Sequence, residues 1–211
     1  MILLAFTLLG ACDRAPEKLG AKLPPAVVGL IEPCQERKGE VRENCAIAAL
    51  ASFALTGEQW LLLCDELRTS PALDICIERA VWSDKSPSPP SVCERIEHER
   101  TRQSCLLGAT NGILEGPIAA LADACGRAED LEVDCWVHVT TGRKHYWLDK
   151  GLSTLEADVA EMLAVRPALV SSIPVGYEVG RALGPVAQGS PSGVCARFEA
   201  GPAQACYAAV K

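Results

Sequence analysis

The stretch CERIEHERTRQSC, Cys93 to Cys105, places two cysteines at the ends of a mostly polar segment, and the same outline returns along the chain. It recurs from Cys34 to Cys45, Cys64 to Cys76, Cys125 to Cys135 and Cys195 to Cys206. The first four opening cysteines fall at 34, 64, 93 and 125, and their closing partners at 45, 76, 105 and 135. A period near 30 is the range of helix-turn-helix arrays.

The sequence around each cysteine agrees with helices. Val27, Leu30, Ile31 and Cys34 stand at i, i+3, i+4 and i+7, one face of a helix. Ile118, Leu121 and Cys125 repeat that arrangement, as do Leu61, Cys64 and Leu67. Turn-forming residues follow in most units: Gly39, Ser70-Pro71, Gly126 or Asp130, and Gly201-Pro202. A second apolar-periodic run then carries the closing cysteine, as in VRENCAIAALASFAL (41–55) and PALDICIERAVW (71–82). Each unit therefore predicts helix, tight turn, helix, with one disulfide between its arms. Ten cysteines allow on the order of a thousand connectivities, so pairing inside each unit is an expectation of the repeat. Residues 93–105 test it hardest, because they contain neither Gly nor Pro. As one helix they would hold the two Cα atoms about 18 Å apart, far beyond the roughly 4.4–6.8 Å a disulfide spans. The repeat predicts a turn near Glu97 to Arg100 instead.

These units predict an all-α fold, a solenoid-like array of about six disulfide-linked hairpins. One unit lacks cysteines: from Cys135 to Cys206 is about twice the period, and Ala164 and Val175 fall near the missing positions. Leu131, Val133, Cys135, Val137 and Val139 alternate with polar residues, which is strand patterning. The repeat favours a helix there, with a short hairpin as the alternative. TGRKHYW (141–147) reads as a polar loop, Leu155 to Val165 as a helix entered through Ser153-Thr154, and 167–183 as helices broken near Pro174. Pro185 to Gly193 reads as a loop.

Composition points the same way. Hydrophobic residues make up 49% of the 211, yet aromatics only 5%, a mixture that suits packed helices better than a β-sandwich. A formal charge of −7 argues against nucleic acid as a partner. Eleven cysteines indicate an oxidising compartment. No Cys-x-x-Cys occurs, so neither a thioredoxin-type motif nor a zinc knuckle can be drawn.

Residues 2–11, ILLAFTLLGA, are too short to cross a bilayer and suit the apolar core of an export signal. Leu9-Gly10-Ala11-Cys12 resembles the bacterial lipobox. That resemblance implies cleavage before Cys12, lipid on its sulfur, and a place in the cell envelope, anchored to the membrane. Parity agrees, since five pairs use ten cysteines and Cys12 is left over. The expected organisation is a signal peptide at 1–11, a tether at 12–25 and a helical repeat domain at 26–211.

No strong catalytic constellation is marked. Cys135, His138 and His145 with Asp134 and Asp149 could be drawn as a metal site, but Cys135 is expected to be oxidised, and no metal or other cofactor is expected. Neither Gly-x-Ser-x-Gly nor Ser-x-x-Lys is present. Gly176 and Gly180 lack the context of a phosphate loop and read as helix contact points. Trp136, Tyr146 and Trp147 cluster beside the cysteine-free segment; core packing is the default reading and a ligand groove the sharper one. The plan of one disulfide per hairpin resembles the cysteine-rich Sel1-like repeat proteins. This implies an α/α superhelix that binds a protein or peptide partner. The alternative is an envelope enzyme acting on cell-wall or β-lactam-like substrates, with its site within 136–190.

Overall fold

The computed structural model describes residues 18–83, 89–187 and 193–210. Leu9 to Cys12, the segment that resembles a lipobox, lie outside the described residues, as does most of the 185–193 segment. All regular structure among the described residues is helical. The helices are α1 (Pro25–Ile31), α2 (Gly39–Leu50), α3 (Gly57–Cys64), α4 (Ser70–Ser83), α5 (Glu99–Ala109), α6 (Ile118–Gly126), α7 (Glu132–Lys150), α8 (Leu152–Val165), α9 (Ile173–Val186) and α10 (Ala200–Ala209).

Six units follow one another. In four of them the arms are α1 and α2, α3 and α4, α6 and α7, α8 and α9, each pair packed together. The other two are shorter than expected. The first arm of the third unit is only the 3-10 turn Pro90–Arg95, and that of the last is Cys195–Arg197. The second helices α2, α4, α5, α7, α9 and α10 pack one on the next, so each unit closes the apolar face of its neighbour. Leu50, Leu63, Ile77, Leu121, Leu155 and Leu183 carry one continuous core through the units, all of them fully buried.

Five disulfides join the arms of their own units: Cys34–Cys45, Cys64–Cys76, Cys93–Cys105, Cys125–Cys135 and Cys195–Cys206, with Cα atoms 5.4–5.7 Å apart. Each closes a loop of about a dozen residues, a size for which cross-linking stabilises by roughly 3 kcal/mol.

The turn that the third unit lacks in its own sequence comes from elsewhere. Ile96 and His98 are extended and α5 begins at Glu99. The amides of Glu97 and His98 donate to the buried carboxylate of Asp74, at 3.0 and 2.8 Å. In the preceding unit Glu43 does the same for the amides of Arg68 and Thr69, both at 2.9 Å. The four amides sit four and five positions after Cys64 and Cys93, and each acid stands two positions before a closing cysteine. A carboxylate of one unit thus completes the turn of the next and sits at the positive end of its second helix. Where capping is local, it is conventional: Thr56 and Gln59 form a capping box at the start of α3.

Residues 131–139 are helical, as the repeat favoured over a short hairpin. Several other expectations are corrected. The polar loop at 141–147 is instead the middle of α7, and the break comes at Gly151, whose φ of +88° starts α8 ahead of Ser153. Pro174 sits in the first turn of α9, where its missing amide hydrogen costs nothing, so the break falls before it. Pro185 lies inside the last turn of α9. Near the missing cysteine positions Ala164 is exposed, whereas Leu163 beside it and Val175 are buried. Packed structure begins ahead of Pro25. Leu19 and Leu23 are buried, and Leu19 exchanges two hydrogen bonds with the side chain of Gln35.

Candidate binding surface

The longest helix, α7, carries the most distinctive polar arrangement in the molecule. Trp136, Val139, Thr140, Arg143 and Trp147 form its buried stripe. Arg143, only 2% exposed, is paired with Asp158 of α8, its Nη2 lying 2.5 Å from the Oδ2 oxygen. Its Nη1 donates to the carbonyls of Leu114 and Gly116, at 2.5 and 2.7 Å. Trp147 Nε1 donates to the same Asp158 oxygen at 2.7 Å. The guanidinium also lies 4.8 Å from the centre of the Tyr146 ring. One buried cation thereby ties two helices to the connection between the third and fourth units. This buried network ties α7 to α8, the first arm of the unit that has no disulfide.

The connection from Thr110 to Gly116 packs against Gly142, where an added Cβ would meet Leu114 at 2.6 Å. Between that connection and α7 lies an open groove of about 470 Å³, lined by Asn111, Ile113, Glu115, Gly142, His145 and Tyr146 among others. Its lining mixes an aromatic ring, a carboxylate, an amide and an imidazole. At one end, His138 Nε2 is 2.8 Å from Asn111 Oδ1, and its ring meets Trp82 edge-on at 5.5 Å. Burial holds the His138 imidazole below its ordinary pKa, so it is neutral at physiological pH.

The three residues marked in the sequence as a ligand groove separate. Trp136 and Trp147 are 0% and 2% exposed and belong to the core; Tyr146, half-buried at the edge of the same stripe, lines the groove. The metal set drawn in the sequence does not assemble, because the Cys135 sulfur is bonded to Cys125 and His138 is bonded to Asn111. Gly176 and Gly180 are helix contact points: a Cβ at 176 would stand 2.7 Å from the Pro202 carbonyl oxygen, and one at 180 would strike that of Cys206.

Arg143, Asp158 and Asn111 escaped the sequence reading. Had 132–150 been read as one helix, residues 136, 139, 140, 143 and 147 would have fallen on one face with an arginine in its middle. Comparison with known protein families, curated proteins and solved structures finds no match for this chain.

Proposed function

We propose that this chain is a lipid-anchored protein of the bacterial cell envelope, held through Cys12, whose stapled helical array binds a protein or peptide partner. The observation that carries the partner-binding reading is the groove between residues 111–116 and α7. Its far wall is fixed by Arg143 from below and its scaffold is cross-linked on both sides, by Cys93–Cys105 and Cys125–Cys135. A surface already held in one shape loses little conformational freedom on binding, which favours affinity. The eleven cysteines, the resemblance of Leu9 to Cys12 to a lipobox and the cysteine parity support the envelope assignment.

The test places a photo-crosslinking residue at Tyr146 or His145 in living cells, and a control crosslinker at exposed Ala26. A partner that is captured from the groove, absent from the control and lost with Glu115→Lys supports the reading. Equal capture from both positions defeats it. Mass spectrometry of the N-terminal peptide tests the anchor: a lipid-modified Cys12 is expected, and an unmodified thiol removes that part.

A further inference from the structure

The chain enters the body through a hook that is fastened at several points. Leu19 and Leu23 are buried, both backbone groups of Leu19 bond to Gln35, and the Gly20 amide donates to the Glu66 carboxylate. Beside this hook is a groove of about 390 Å³ lined by Lys18, Lys22, Arg42 and Arg68 together with Asp65 and Glu66. None of the four cations is in an ion pair among the described residues. The Arg68 guanidinium is held by the carbonyls of Asp65 and Leu67, which orient it without neutralising it. Arg42 Nε is buried with no hydrogen-bond partner. Both carboxylates are already engaged, Asp65 by Arg95 at 3.0 Å and Glu66 by the Gly20 amide. On a chain with a formal charge of −7, this is a local reversal of sign.

We infer that this groove binds the anionic headgroup of a phospholipid and is the face that the body turns to the membrane. The inference rests on the lipid anchor proposed at Cys12. Six Cα steps separate Cys12 from Lys18, a reach of at most about 20 Å. Screening at physiological salt confines attraction to within about 8 Å of the headgroups, so a short link is what brings these cations into range. Arginine suits such a ligand because its planar fork meets phosphate oxygens in pairs.

The full chain should bind phosphatidylglycerol-rich vesicles roughly tenfold more tightly than phosphatidylcholine vesicles, the order expected for a small surplus of cations at an anionic surface. The combined variant Lys18→Gln, Lys22→Gln, Arg42→Gln, Arg68→Gln should lose that preference and keep its binding to neutral vesicles. Should that variant not fold, the exposed pair Lys18→Gln, Lys22→Gln alone should reduce the preference. Arg100→Gln with Arg197→Gln, exposed and far along the chain, should leave it intact. Equal binding to both vesicles overturns the inference, as does an equal effect of the distant pair. Abolition of the preference by inorganic phosphate at constant ionic strength also overturns it, since the site would then take a free anion. A chain that proves unmodified at Cys12 yet prefers anionic vesicles removes the anchor and leaves the groove standing.

Discussion

Asp74 on α4 and His98 at the entry to α5 are joined by a 2.8 Å hydrogen bond from the His98 amide to the Asp74 carboxylate. With its companion from Glu97, that bond bends a segment whose own residues would continue as a helix. Asp74→Ala takes the acceptor from two amides and should cost about 2–4 kcal/mol in urea unfolding of the oxidised protein. Asp74→Asn keeps one accepting oxygen and should cost about half as much. Glu43→Ala should match Asp74→Ala, because its bonds to Arg68 and Thr69 are of the same kind. A loss below about 0.5 kcal/mol for both alanine variants, the range of ordinary surface changes, would mean the turns stand without these acids.

Arg143 and Asp158 make the second prediction. Removing Arg143 leaves a carboxylate and two carbonyls without their donor, and removing Asp158 leaves a buried guanidinium without its counter-charge, so Arg143→Met or Asp158→Leu should each cost about 3–5 kcal/mol. The double variant should cost clearly less than the sum of the two, since neither charge is then left alone. Additive losses in a denaturation cycle would show that the two side chains act independently.

A pH dependence follows from His138. Burial lowers its folded pKa beneath the ordinary value of 6.5, so between the two values the unfolded chain holds more protons than the folded one. Stability is therefore full above about pH 6.5 and declines as pH falls through that value toward the lower folded pKa. His138→Gln keeps a donor for Asn111 and cannot titrate; melting temperatures measured from pH 7.5 down to 5 should show a flatter profile for this variant. Identical profiles would remove His138 as the cause.

Gly176 and Gly180 of α9 give a contrast with Gly29 of α1. Gly180→Ala places a methyl group on the Cys206 carbonyl and Gly176→Ala presses one toward that of Pro202, so each should destabilise by about 1–3 kcal/mol. Nothing lies near a Cβ built on Gly29, which is exposed in mid-helix. Gly29→Ala should therefore stabilise by about 0.5–1 kcal/mol. Melting curves of the three variants decide; a stabilising Gly180→Ala would mean that α9 and α10 are less tightly apposed.

The architecture was legible because cysteine spacing is a long-range signal printed in the sequence: it named the pairs, the period and even the turn inside residues 93–105. The residues that enforce that turn were hidden, since Asp74 acts on amides more than twenty positions ahead, and pattern reading looks only at neighbours. A weak mark existed, an acid two positions before the closing cysteine in two consecutive units. The candidate surface was half legible. Tyr146 was found by composition, but its neighbours Trp136 and Trp147 were grouped with it because 141–147 passed for a loop. On a continuous helix the tryptophans turn inward and the tyrosine sits at the edge of their stripe.

The direction of the capping bonds has a consequence for how the molecule is made. Glu43 and Asp74 each serve residues that leave the ribosome after them, so the acceptor is waiting when its amides arrive. A chain shortened from its C-terminal side keeps these turns supplied, whereas deleting the opening unit orphans residues 68 and 69 at once. The array has a built-in polarity, and it matches the order of synthesis.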